Sequence, residues 1–241
     1  MAISKLNYNS LNVTASANQA IGFDSGADDL ETGAAGGSMK FIKKLTASSS
    51  ATLSFVDGTS DVVLDSTYKE YMFIFNNIHP ATDNAEFSFQ GNAAGGSGYN
   101  ETITSTQFEV YHTEDGTANS LAYKSARDQA QGTGFQTLSL PTHENDNGAS
   151  GYLHLFNPSS TTFIKHFIAK VQTVNSDTYC TCNFTAGYFN TTSAIDEIQF
   201  KFSSGNIAAG YCNVTAAIDA VQFAMSSGNI DAGTITLYGI S

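Results

Sequence analysis

The chain has no tryptophan, and its 241 residues include only three cysteines and three prolines. Three cysteines cannot build a disulfide framework. Cys180 and Cys182 are two apart in an extended run, so they share one strand face, and no nearby residues complete a zinc set. Basic residues are scarce as well, with 10 Lys and Arg against 22 Asp and Glu for a formal charge of −12. That balance opposes nucleic acid and anionic membrane surfaces as partners. No run reaches the roughly 18 apolar residues of a membrane span. The N-terminus has Lys5 but no apolar leader segment, so the expectation is synthesis in the cytoplasm and release by another route, such as lysis.

Catalytic signatures are equally scarce. There is no Gly-x-Ser-x-Gly elbow, zincin helix or phosphate loop. Five histidines are scattered (His79, His112, His143, His154 and His166), and His154 and His166 read as members of solvated strand faces. Gly95–Gly98 reads as a hairpin loop, since no helix follows to offer its N-terminus to a phosphate. Residues 144–148 (ENDNG) lack the spaced acids and distal glutamate of a calcium loop and read as an Asx-rich turn. The expectation is a protein without catalytic residues, cofactor or metal.

What the chain has is aromatic and turn-forming: 17 Phe, 11 Tyr and 21 Gly. Such a composition suits many short strands, so the predicted fold is all-β, an antiparallel β-sandwich or jelly roll. Strands are predicted at Phe41–Leu45, Ala51–Val56, Glu70–Ile78, Ala85–Gln90, Tyr99–His112, Phe135–Leu140, Gly151–Phe156, Thr162–Val174 and Tyr179–Phe189. Dense hydrophobicity on both sides of Glu70–Ile78 marks it as a central strand. Gly91–Gly98 reads as loop, and Ser120–Gln131 as weakly helical or loop. Tyr99, Tyr111, Tyr123 and Tyr152 could stack on sugars or touch proteins.

One unit is written twice. Residues 186–210 and 209–233 match at 17 of 25 positions with an offset of 23. Ile198, Phe200 and Phe202 alternate with polar residues in the first copy; Val221, Phe223 and Met225 do so in the second. Each run closes on Ser-Ser-Gly-Asn, and the unit at 186–233 reads as a duplicated hairpin within one sheet. Asp196 and Asp219 recur at matching places, which favours a turn role over a catalytic dyad. A last strand is predicted at 234–240. Residues 1–38 form a separate region with single apolar anchors, read as an extended N-terminal attachment arm; residues 39–241 form the sandwich.

Several stretches carry a family resemblance: KLNYNSLNV (5–13), DSTYKEY (65–71), NIHPATDN (77–84), QGTGF (131–135), LHLFNPSST (153–161) and SGNIDAGTITLYGI (227–240). Across nearly its whole length the chain resembles structural proteins of marine tailed bacteriophages, such as those infecting cyanobacteria. The resemblance implies a virion component assembled in the host cytoplasm, with no catalytic residues to carry over. The leading expectation is a non-enzymatic, homo-trimeric tail fibre or adsorption appendage. Leu6, Leu11, Val13, Ile21 and Phe23 of the arm would dock it to other virion proteins, tail or major capsid protein. Its sandwich loops would face a host-surface glycan or protein. The alternative is a capsid decoration or cement protein; a glycan-binding or glycan-degrading module ranks below both. The second repeat copy departs from the family pattern, in which one is expected.

Overall fold

The computed structural model describes residues 20–23, 30–33, 39–140, 148–175 and 178–208. All strand pairing among them is antiparallel, and they contain no helix. Strands β1 (Ala20–Phe23) and β2 (Leu30–Gly33) pair with each other, Phe23 opposite Leu30. The N-terminal region therefore contains a small sheet where sequence periodicity predicts none. Ile21 and Phe23 lie on β1; Leu6, Leu11 and Val13 lie outside the described residues.

Two sheets form the sandwich. The larger contains β4 (Glu70–Pro80), β6 (Ile103–Thr113), β7 (Asn119–Tyr123), β8 (Ala130–Gly132), β10 (Ala149–Phe156), β11 (Lys165–Val174), β12 (Tyr179–Phe189) and β14 (Ile207–Ala208). Their order is β14-β4-β10-β11-β12-β6-β7, with β8 also beside β6. The smaller sheet contains β3 (Leu53–Val56), β5 (Phe87–Ala93), β9 (Gln136–Thr137) and β13 (Ile195–Phe202), in the order β3-β13-β5-β9.

Period-two alternation decides what enters the interior. On β11, Phe167, Ala169, Val171 and Thr173 are buried while His166, Ile168, Lys170 and Gln172 face out. On β13, Ile198, Phe200 and Phe202 face in. The Phe200 ring lies 5.1–6.3 Å from five others, those of Phe55, Phe73, Phe75, Phe87 and Phe89. Phe89 in turn meets Phe167 and Phe189 edge-on, at 5.0 and 6.0 Å. Edge-to-face pairs of this kind add to the area term of burying large rings.

Beneath β6 the interior turns polar. Glu109 is 3 % exposed and is held by Lys124 Nζ at 2.6 Å and Arg127 Nη1 at 3.4 Å; Arg127 Nε also reaches Glu86 at 3.0 Å. Gln107 Nε2 donates to Thr185 Oγ1 and to the Thr137 carbonyl, and Gln136 Nε2 donates to the Arg127 carbonyl. This network pins the stretch 124–138 across the sandwich, replacing apolar contact with hydrogen bonds that must all be made.

Several sequence expectations are corrected. Part of the helix-or-loop stretch 120–131 lies in edge strands β7 and β8, because Leu121 and Tyr123 align with Val110 and Phe108 across a ladder. Phe41–Leu45 forms no strand; Ile42 packs onto the core as a single anchor while Phe41 stays exposed. Gly91 belongs to β5, and Gly95–Gly98 joins strands of opposite sheets, so it is not a hairpin loop. Strand β4 lies near the rim of its sheet, with Met72 and Ile74 exposed. In the first repeat copy Tyr188 is the penultimate residue of β12 of the large sheet, next to its final residue Phe189, whereas the alternating run is β13 of the small one. That copy crosses between sheets instead of forming a hairpin within one. The second copy beyond Ala208 and the predicted strand 234–240 lie outside the described residues.

Phe89→Ala removes the ring that joins β5 to β11 and β12, and it should cost about 3–5 kcal/mol. Urea unfolding followed by near-ultraviolet circular dichroism would measure this; a loss below about 1 kcal/mol would show that the aromatic cluster does not hold the sheets together.

Candidate functional site

The alternation that fills the interior places a second set of side chains on the outer face of the larger sheet. One row crosses six strands there. Ile74 pairs with Tyr152, Tyr152 with Lys170, Lys170 with Phe184, Phe184 with Phe108, and Phe108 with Tyr123. Five inter-strand steps span about 24 Å. Ile74, Phe108 and Tyr123 are 62 %, 43 % and 57 % exposed, so no second layer of described residues covers the row.

The row is ordered by its own contacts. Phe108 and Phe184 stack at 4.8 Å with planes 10° apart, and the Lys170 ammonium lies 5.5 Å from the Phe184 centroid. The Tyr123 hydroxyl donates to the Asp128 carboxylate. On the neighbouring rows, the His154 ring meets Tyr152 edge-on and stacks on Phe156, and its Nδ1 contacts the Glu70 carboxylate. Glu70 is the one acid on this face of β4, β10, β11, β12, β6 and β7, although acids outnumber bases across the chain.

An open depression of about 490 Å³ lies beside the row. Short side chains, Thr106 and Ala186, lie among its lining residues with Thr104, Ile168, His166 and Tyr188, the last two with rings 6.0 Å apart. Gly187 is required beneath it. A Cβ there would sit 2.5 Å from the Thr104 carbonyl oxygen and 2.7 Å from the Phe167 ring.

Other ionisable groups serve the framework. A second opening, about 360 Å³, is lined by Glu86, Tyr123, Lys124 and Arg127, whose charges are already paired in the network around Glu109. Asp196 is the extra residue of a β-bulge, since the register shifts between Ile195 and Glu197. Its carboxyl is raised above the ordinary carboxylate range, first by burial and then by the neighbouring charges of Glu197 and Asp57. Cys180 and Cys182 do share the outer face of β12; burial raises the Cys182 thiol. Among the described residues no group of three His, Cys, Asp or Glu side chains could hold a metal ion. Of segment 144–148 only Gly148 is described.

Of the four tyrosines singled out in the sequence, Tyr123 and Tyr152 come together on the outer row. Tyr99 instead packs near Phe135, and Tyr111 turns toward Tyr179. Sequence reasoning passed over Phe108, Phe184, Ile168 and Tyr188. Their signal was present: apolar residues on both faces of a strand, which reads equally as full burial or as an open apolar face. Comparison with protein-family models, curated proteins and solved structures gives no match. Fold and face together define an antiparallel β-sandwich with an open aromatic sheet surface.

Lys165 is fully buried at the end of β11, donating from Nζ to the Thr191 carbonyl at 3.1 Å. Burial lowers its pKa from the ordinary 10.5, with Glu101 opposing. Between the lowered value and 10.5 the unfolded chain binds more protons, so this residue makes stability rise with pH. Tyr71, Tyr99 and Cys182, all raised by burial, act in the opposite sense. The Lys165 part is therefore read as a difference. Urea unfolding of wild type and Lys165→Met from pH 7 to 10.5 should show the variant's stability advantage shrinking as pH rises; a constant difference would mean that Lys165 titrates normally.

Proposed function

We propose that this protein is a non-enzymatic structural component of a tailed-phage virion, an adsorption appendage or tail-fibre domain that works by surface contact. The supporting observation is the outer row from Ile74 to Tyr123. A contiguous exposed apolar patch of this extent is unusual on a free-standing surface and marks a contact site. Aromatic side chains with polar tips, together with Lys170 and three histidines on the same face, suit a neutral or acidic partner. The resemblance to marine phage structural proteins supports the same reading. In it, residues 1–38 attach the domain to tail or capsid proteins, and three copies associate, which shields the sheet rims at β7 and β4.

A second reading concerns what the face touches. The depression beside Tyr188 and His166 favours a glycan, since an aromatic wall over a floor of threonine and alanine suits stacking of a sugar ring with hydroxyl contacts. On the alternative head location, the same face lies against the capsid lattice.

Copy number in purified particles separates these locations. A few copies per particle place the protein on the tail, a lattice fraction of the major capsid protein places it on the head, and absence from particles refutes the virion role. Phe108→Ser combined with Tyr123→Ser should weaken binding to host cells at least tenfold while changing stability by less than about 1 kcal/mol. Undiminished binding would remove the row as the contact face. Sedimentation of the full chain should give a trimer, and deletion of residues 1–38 should leave the sandwich folded but prevent its incorporation into particles.

A further inference from the structure

The depression beside the outer row is a groove with two walls. Across β6, β12 and β11 one register row places Phe108, Phe184 and Lys170 side by side. Four residues along each strand, another row places Thr104, Tyr188 and His166. Thr106, Ala186 and Ile168 lie between them. The stacked rings of Phe108 and Phe184 stand on one side, the neighbouring rings of Tyr188 and His166 on the other, and the short side chains of Thr106 and Ala186 form the floor.

These dimensions select among occupants. Four residues of strand put about 14 Å between the Cα atoms of the two walls. An α-helix with its side chains, about 10–12 Å across, would fill or exceed what the rings leave of that width. The main-chain groups beneath the groove are used in the β-ladders, so an extended peptide crossing the strands finds no backbone partners there. A saccharide meets neither limit. Its rings present flat C–H faces to the aromatic walls, and the hydroxyls of Thr104, Thr106 and Tyr188 offer partners for its own.

Charge singles out one end. At β11 the groove is bounded by Lys170 on one side and His166 on the other, with Ile168 between them. No carboxylate pairs with Lys170 among the described residues, and its ammonium rests 5.5 Å from the Phe184 centroid. Glu70 and Asp128, at the margins of the face, are already held by His154 and by the Tyr123 hydroxyl. In a chain of formal charge −12, a cation thus stands within an apolar surface with no acid paired to it. Aromatic and aliphatic surroundings strengthen the attraction of such a charge for an anion.

We propose that the groove binds an anionic pyranose, a sugar ring bearing a carboxylate or a sulfate ester, with the ring between the aromatic walls and the acid group at the Lys170 end. The proposal rests on the reading of the depression as a glycan site and adds the class of sugar. Lys170 supplies a charge-assisted hydrogen bond, and the His166 ring an N–H donor from the opposite wall.

Calorimetric titration of the full chain tests this with four probes: oligogalacturonate, its methyl ester, a sulfated galactan oligosaccharide and the same galactan desulfated. An acidic probe should bind about tenfold more tightly than its neutral counterpart, the worth of one charge-assisted contact. Preference confined to the uronate pair or to the sulfate pair supports the proposal and identifies the acid group. Lys170→Met should bring the acidic-to-neutral ratio close to one. Ala186→Phe, which fills the floor, should abolish saccharide binding, with the urea midpoint as the check that the variant is folded. Equal affinity for the acidic and neutral forms overturns the proposal and leaves the glycan reading standing. Acidic binding that survives both substitutions overturns the groove as its site, and absence of binding to all four probes overturns the proposal together with the glycan reading.

Discussion

The ring of Phe200 is the point on which both sheets close. It projects from the middle of the small sheet and meets Phe73 and Phe75 of the large sheet at 5.4 and 5.1 Å, while Phe55, Phe87 and Phe89 surround it from its own side. A chain without tryptophan depends on phenylalanine for such a contact, and each ring brings a large apolar area without a polar atom to satisfy. Because the ring meets Phe55 and Phe75 edge-on, Phe73 tilted, and Phe87 and Phe89 stacked, the interlocking packing favours one relative placement of the two sheets.

That placement divides the interior. Over β4, β10 and β11 the contact is aromatic and aliphatic; toward β12 and β6 it becomes Thr181, Asn183, Thr185, Gln107 and Glu109. Among the described residues the small sheet has four strands against eight, and these four do not span the whole inner face of the larger sheet. The stretch 124–138 completes the cover, and it does so through Lys124, Arg127 and Gln136. A buried ion pair contributes less to stability than apolar packing of equal volume, but a lost partner is costly, so this half is more sensitive to single polar changes. The outer face escapes both covers.

Much of the sandwich was legible from alternation. The runs at β11 and β13 and the pairs Phe87 with Phe89 and Leu153 with Leu155 all sort correctly into inward and outward residues. Histidines 154 and 166 stand on the outer face, as their spacing implies. The site was half legible. Tyr123 and Tyr152 could be picked out as amphipathic rings, but nothing local connects them, since they are joined by a row that passes over three intervening strands. β7 escaped notice because its five residues carry a weak pattern that only pairing with β6 stabilises. The crossing of the first repeat copy between sheets was hidden for a similar reason: a turn of five residues looks the same whether it folds back within a sheet or steps to the next.

The sequence by itself determined an all-β chain, the alternation of its strands, an excess of acidic residues and a repeat whose two copies carry the same apolar alternation. These follow from local chemistry: period-two spacing, charge counts and turn residues. Only the tertiary structure decided which of the two apolar faces of β4, β6 and β12 is covered. Period two sorts a strand's side chains into two faces but carries no information on which face another sheet will meet. That choice is made by long-range packing around Phe200, and the face it leaves open is the candidate site.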